Sequence, residues 1–94
     1  MIISYCDKRT RVFAEGKRIK AFSGFELAAN LKLDRLDDAT SLRDLVALPG
    51  NRFEALKGAR RGQFSIRIND RWRICFEWPD GALGPENVEI VDYH

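Results

Sequence analysis

The apolar positions of this chain keep a helical period in its first half and a strand period in its second. Phe25, Ala29, Leu33 and Leu36 recur at helical spacing and form one stripe. Phe64, Ile66 and Ile68 then interleave with Ser65, Arg67 and Asn69, and Trp72, Ile74, Phe76 and Trp78 interleave with Arg73, Cys75 and Glu77. Both runs read as strands with one apolar face. Around them the pattern predicts a first strand over Met1 to Tyr5 and a short helix over Lys8 to Glu15, with Gly16 as its stop. The main helix is expected to begin at a capping box of Ser23 and Glu26, stapled by Phe22 and Leu27, and to run to about Asp38. Thr40 can cap a further turn through Leu45, and Pro49-Gly50 ends the helical half. A strand over Phe53 to Leu56, a loop from Pro79 to Glu86 and a last strand from Asn87 to Tyr93 complete a single α+β domain spanning residues 1–94.

Register follows from burial. A two-residue loop between the long strands pairs Ile68 with Arg71, mixing apolar and charged residues. A three-residue loop, Asn69-Asp70-Arg71, pairs Ile68 with Trp72, Ile66 with Ile74 and Phe64 with Phe76, so the apolar faces match. Asn or Asp suits the left-handed conformation expected in such a loop. On the opposite face Arg67 then stands across from Arg73. Like charges facing each other are unfavourable in a sheet, unless both are solvated or an anion lies between them. If Val88 and Ile90 face the core, Glu89, Val91 and Tyr93 share the face of the two arginines. His94 stands at its rim, and Lys57, in the turn Leu56-Lys57-Gly58, can reach the same space.

Charge sharpens this picture. The net charge is only +2, but the segment from Arg52 to Arg73 carries seven basic residues against two acids, a net of +5. From Ile74 to His94 there are five acids and no Lys or Arg, while Lys8, Arg9, Arg11, Lys17, Arg18 and Lys20 form a second basic cluster. Charge runs commonly mark a solvated face; arginine concentrated in one segment points towards a polyanion such as RNA. An apolar fraction of 45% with 32% charged residues fits a folded globular chain. No run is long enough to span a membrane and no signal-peptide pattern opens the chain, so a cytoplasmic protein without membrane association is expected. Cys6 and Cys75 have no metal-ligand spacing and read first as small buried hydrophobes, with a disulfide second. With one histidine, neither a metal site nor a cofactor is expected. That histidine closes the chain in the run Asp92-Tyr93-His94. A terminal imidazole is commonly a frayed, solvated residue, but here a strand leads into it.

Leu56-Lys57-Gly58, the stretch from Gly62 to Phe76 and the end Val88 to His94 resemble the HigB toxins, the "killer protein" branch of the RelE-like superfamily of type II toxin–antitoxin systems. The similarity extends through Ala39 to Leu45 and Pro49 to Arg52. The resemblance implies N-terminal helices packed on a small, twisted, mostly antiparallel sheet. It implies a ribosome-dependent endoribonuclease that cuts mRNA and blocks translation. Its partners would be the 70S ribosome and mRNA, together with a HigA-type helix-turn-helix antitoxin, and operator DNA would be reached only through the toxin–antitoxin complex. The catalytic end of the family falls on Asp92, Tyr93 and His94, and the phosphate-holding cations fall on Lys57, Arg67 and Arg73. Arg61, in the same basic segment, joins them as an RNA-binding candidate. Some relatives carry a second histidine before Leu-Lys-Gly, where this chain has Phe53-Glu54-Ala55.

In such a reaction the RNA supplies its own 2′-hydroxyl nucleophile. Cleavage then needs a base, an acid for the leaving 5′-oxygen, and positive charge on the phosphate. His94 is the candidate proton carrier, with Asp92 to orient or polarise the site and Tyr93 to stack on a base or donate a proton. Arg67 and Arg73 would clamp the phosphate, and Lys57 would add point charge. The rival readings are a non-catalytic RNA-binding module and a protein-interaction domain.

Overall fold

The computed structural model of the chain describes residues 1–92. Three helices precede the sheet: α1 (Lys8–Ala14), α2 (Glu26–Asp38) and α3 (Leu42–Val46). Four strands follow: β1 (Glu54–Ala55), β2 (Gln63–Arg67), β3 (Trp72–Glu77) and β4 (Glu86–Asp92). They pair antiparallel in the order β1-β2-β3-β4, giving the α+β architecture that the change of period predicts. Gly16 ends α1 with φ +101°, a conformation open to glycine at little cost.

The β2–β3 register is the one burial selects. Phe64 pairs with Phe76, Ile66 with Ile74 and Arg67 with Arg73, and the Ile68 amide donates to the Trp72 carbonyl at 2.9 Å. The loop differs in its means. Asn69, Asp70 and Arg71 all keep negative φ; instead the Asn69 side-chain oxygen accepts the amides of Arg71 at 2.9 Å and Trp72 at 2.8 Å. This is the Asx turn that asparagine makes without a left-handed residue.

Between the helices and the inner face of the sheet lies the core. Ile66, Ile74 and Ile90 stand abreast on three adjacent strands, all fully buried. Each contributes about 1.5–3 kcal/mol of apolar burial. Phe22 is fully buried at the helical side, its ring 5.2 Å from Phe13 and 5.6 Å from Trp72. Ala29, Leu33 and Leu36 present the expected buried stripe of α2.

Three local expectations fail. The helix α2 starts at Glu26 with Phe25 in the cap position, so Ser23 and Glu26 form no capping box. Ser23 instead ends the turn Lys20–Phe22, which carries Phe22 into the aromatic cluster. Leu27 is 89% exposed and no staple forms with the buried Phe22. Ser41, not Thr40, occupies the cap position of α3; Thr40 is the donor, giving its amide (2.9 Å) and hydroxyl (3.0 Å) to the Asp44 carboxylate. Met1 to Tyr5 makes no regular strand. It runs beside β4 with one parallel bridge, Tyr5 to Val88, and hydrogen bonds from Ile3 to Pro85 and from Val88 to Ser4. Gly84 allows that approach, since a side-chain carbon there would collide with the Met1 backbone. No helix among the described residues is long and apolar enough to cross a membrane.

Candidate functional site

Strand alternation sends Ile66 and Ile74 to the helices and their neighbours to the outer face. Along that outer face lie Ser65 and Arg67 of β2, Arg73 and Cys75 of β3, and Glu89 and Val91 of β4. The Arg52 carbonyl and the Leu56 side chain close over part of it. Leu56, Cys75 and Val91 form a small buried cluster there. Burial pushes the Cys75 thiol pKa up, which keeps it protonated. Cys6, by contrast, is exposed, contrary to the buried role expected for it, and both cysteines are free.

Arg67 and Arg73 are direct cross-strand partners, yet their surroundings differ. Arg73 is 8% exposed. Its Nε donates to Ser65 Oγ at 2.8 Å and its Nη2 to the Arg52 carbonyl at 2.6 Å, while Glu54 Oε1 stands 3.7 Å from Nη2. These partners fix the plane of the guanidinium. Arg52 is left-handed, with φ 43° and ψ 54°. Arg67 is a third exposed at its side chain and pairs with Asp70, which is itself 97% exposed in the hairpin loop. One arginine is therefore built into the wall and the other stands at the surface on a displaceable partner.

Lys57 is exposed at the entry to the turn Gly58–Arg60, and Arg61 is exposed at its exit. Arg60 turns inward, donating to Gln63 Oε1 at 3.0 Å and to Glu89 Oε1 at 3.4 Å. Glu54, at the place of a second histidine in some relatives, sits opposite Ser65 on β1, beside Arg73. Asp92 pairs in register with Trp72, whereas Val91 pairs with Arg73. Alternation thus turns Asp92 to the other side of the sheet, where Arg71 meets its Oδ2 through Nε at 2.8 Å and Nη2 at 2.6 Å. Tyr93 and His94 lie outside the described residues.

The sequence reading missed Ser65, Arg52 and Asn51. Ser65 sits in the polar phase of β2, where any small polar residue satisfies the alternation. Arg52 acts through its backbone carbonyl, and a carbonyl leaves no residue-specific mark. Among the described residues no group of three His, Cys, Asp or Glu side chains is placed to hold a metal. What the arrangement offers is a buried, fixed fork beside a partly exposed one, with two exposed cations flanking the turn Gly58–Arg60, a set of groups that suits a phosphodiester backbone.

Comparison with known proteins identifies the family. The model of the HigB-like toxin family, described as the RelE-like toxin of the type II toxin–antitoxin system HigB, matches residues 4–94. A curated relative, Toxin HigB-1 of Vibrio cholerae serotype O1, is 42% identical over 84 residues, covering 87% of this chain and 88% of that protein. The chain belongs to the HigB-like family of RelE-like toxins from type II toxin–antitoxin systems.

Proposed function

We propose that this toxin is a ribosome-dependent endoribonuclease, an mRNA interferase acting in the cytoplasm as one domain over residues 1–94. The observation that carries the reading is the Arg67–Arg73 pair, two arginines in direct cross-strand register, with the exposed Lys57 and Arg61 flanking the turn Gly58–Arg60. Like charges in that register are stabilised by an anion between them, and an RNA phosphate fits. Arg73, fixed by Ser65 and Arg52, receives the scissile phosphate as its charge grows towards the dianionic transition state. Arg67 exchanges Asp70 for the phosphate, while Lys57 and Arg61 hold the flanking backbone. His94 carries the proton, as base on the 2′-hydroxyl or acid on the 5′-oxygen. Tyr93 stacks on an unpaired base or donates a proton. Asp92, tied to Arg71, fixes the end of β4 from which those two residues follow.

One imidazole is thin machinery for acid–base chemistry, so the ribosome supplies the missing orientation by holding the mRNA. A toxin of this class has an antitoxin partner. Here it is a HigA-type helix-turn-helix protein, through which the complex reaches operator DNA.

Mapping the 5′ ends of messages in a translation extract tests the reading. Wild-type protein should cut mRNA only in the presence of ribosomes. Deleting His94, or Arg73→Ala, should abolish cutting in protein that remains folded, and Arg73→Lys should be impaired because the planar fork is lost. Full cutting by a folded His94 deletion would remove the role of the tail. Salt-dependent RNA binding with no cut ends would favour a binding module instead.

A further inference from the structure

Lys32, on α2, is 7% exposed, yet both oxygens it donates to are neutral. Its Nζ reaches the Gly50 carbonyl at 3.1 Å and Asn51 Oδ1 at 2.9 Å. Taking an ammonium out of water without a carboxylate carries a large desolvation penalty. An unbranched apolar side chain would fill the same space without it, so packing alone does not explain a lysine here. The charged groups that bear on Lys32, Arg35 on its own helix and Arg67 on β2, are both positive and worsen the penalty; with burial as the leading cause, they pull its pKa down.

The two acceptors show what the ammonium does. Asn51 is fully buried, and its Nδ2 donates to the Leu45 carbonyl of α3 at 3.0 Å. The pair Gly50-Asn51 is therefore pinned from two helices at once. The next residue, Arg52, is left-handed, a conformation unfavourable for a long side chain and maintained only where neighbours enforce it. That conformation sets the direction of the Arg52 carbonyl, which accepts from Arg73 Nη2 at 2.6 Å. A continuous chain of contacts runs from α2 through the loop to the guanidinium on the outer face.

We propose that Lys32 is a positioning residue for the phosphate site: its ammonium locks the Gly50–Arg52 turn, and the turn's last carbonyl aims the Arg73 guanidinium. The functional part rests on the proposed role of Arg73 in holding phosphate. Lys32 touches no substrate; it acts through backbone and through Arg73.

Two measurements on the full-length protein test this. The first is hydrogen exchange at Arg73 Nε–H by nitrogen-15 NMR, with the signal identified by its loss in Arg73→Lys. In Lys32→Met that exchange should accelerate about tenfold or more while the backbone amides of the sheet stay protected, and Lys32→Arg, which keeps donors and charge, should restore slow exchange. The second is single-turnover cleavage of ribosome-bound mRNA, expected to fall about tenfold or more in Lys32→Met at saturating ribosome and to recover in Lys32→Arg. Wild-type exchange at Arg73 in a folded Lys32→Met protein overturns the proposal. So does wild-type cleavage in a variant whose Arg73 has been freed. If Lys32→Met does not fold, Lys32→Gln, which keeps one donor in the same space, should show intermediate exchange, and wild-type exchange there overturns the proposal equally. If the unmodified toxin cuts nothing, the nuclease reading fails, while the exchange measurement still decides the positioning.

Discussion

The Ser65–Arg73 contact makes a quantitative prediction. Ser65 is fully buried, Arg73 nearly so, and the Nε–H donates to Oγ at 2.8 Å. A hydrogen bond from a charged donor contributes about 1.5–3 kcal/mol, more than a neutral pair, because an unpaired buried guanidinium N–H is strongly penalised. Ser65→Ala removes the acceptor and leaves the donor stranded, so it should destabilise by about 1–3 kcal/mol. For a chain of this size each kcal/mol lowers Tm by about 4–8 °C. The single variant confounds the bond with the small change in volume; a double-mutant cycle with Arg73→Met separates them. Urea unfolding of wild type, Ser65→Ala, Arg73→Met and the double variant should give a coupling energy of about 1.5–3 kcal/mol. A coupling below about 0.5 kcal/mol, the scatter expected for independent sites, would falsify the view that Ser65 holds the guanidinium.

Further outcomes follow from other contacts. Ile74→Ala, at the centre of the Ile66-Ile74-Ile90 row, should lose about 2–5 kcal/mol in denaturant unfolding, and a loss under 1 kcal/mol would place the core elsewhere. Asn69→Ala should speed amide exchange at Arg71 and Trp72 while leaving the middle of β3 protected, since only the loop amides lose their acceptor. Hydrogen bonds from the Thr40 amide and then its hydroxyl hold the Asp44 carboxyl below its ordinary pKa. Their stabilisation is present above the ordinary carboxylate range and is lost as pH falls through the lowered value. Thr40→Val, which keeps only the amide bond, should therefore show a shallower loss of stability below about pH 4. For Lys32 the slope has the same sign, but there the charged form is the one the fold penalises. Its pKa is lowered by burial first, so the unfolded chain binds the proton more tightly, and the stability of wild type relative to Lys32→Met should rise as pH climbs towards 10.5. A flat difference would mean that Lys32 titrates normally.

What was legible in the sequence was what depends on period and parity. The Arg67–Arg73 juxtaposition needed only the alternation of Phe64 to Trp78 and the demand that apolar faces match. The outward turn of Val91 followed from the same rule, on a strand that runs Glu86–Asp92 where one beginning at Asn87 was expected. Local capping chemistry was a poorer guide. Ser23 and Glu26 have the spacing of a capping box, but that motif contributes about 1 kcal/mol, and seating Phe22 against Phe13, Phe25 and Trp72 outweighs it. Similarly, Ile2 and Ile3 suggested a strand, but the Ile2 amide donates to the Asp37 carboxylate and the Ile3 amide to the Pro85 carbonyl just before β4, rather than to a ladder. Supports of the site were the least legible part. Lys32 lies in a helix that alternation does not describe, Asn51 looks like ordinary turn chemistry beside Pro49-Gly50, and Arg52 contributes a carbonyl. None has a spacing that predicts its contact, because the contact exists only after α2, α3 and the sheet have come together.

The two arginines also show how one chain can keep like charges opposite one another without an anion always present. Had both guanidiniums been solvated, their positions would be set by side-chain entropy and the pair would bind phosphate loosely. Had both been buried on fixed acceptors, each would have little freedom to follow the change in phosphate geometry. This chain divides the tasks. Arg73 gives up its freedom to Ser65 and the Arg52 carbonyl, so in the proposed phosphate site its orientation would be set before RNA arrives. Arg67 keeps an exposed carboxylate, Asp70, on a loop whose other contacts are local. Exchanging Asp70 for a phosphate loses little, because such exposed pairs contribute about 0–1 kcal/mol. The pair therefore combines one preorganised donor with one that adapts, and the asymmetry predicts unequal consequences: Arg73→Ala should act mainly on the rate of the bound complex, and Arg67→Ala mainly on RNA affinity and its salt dependence.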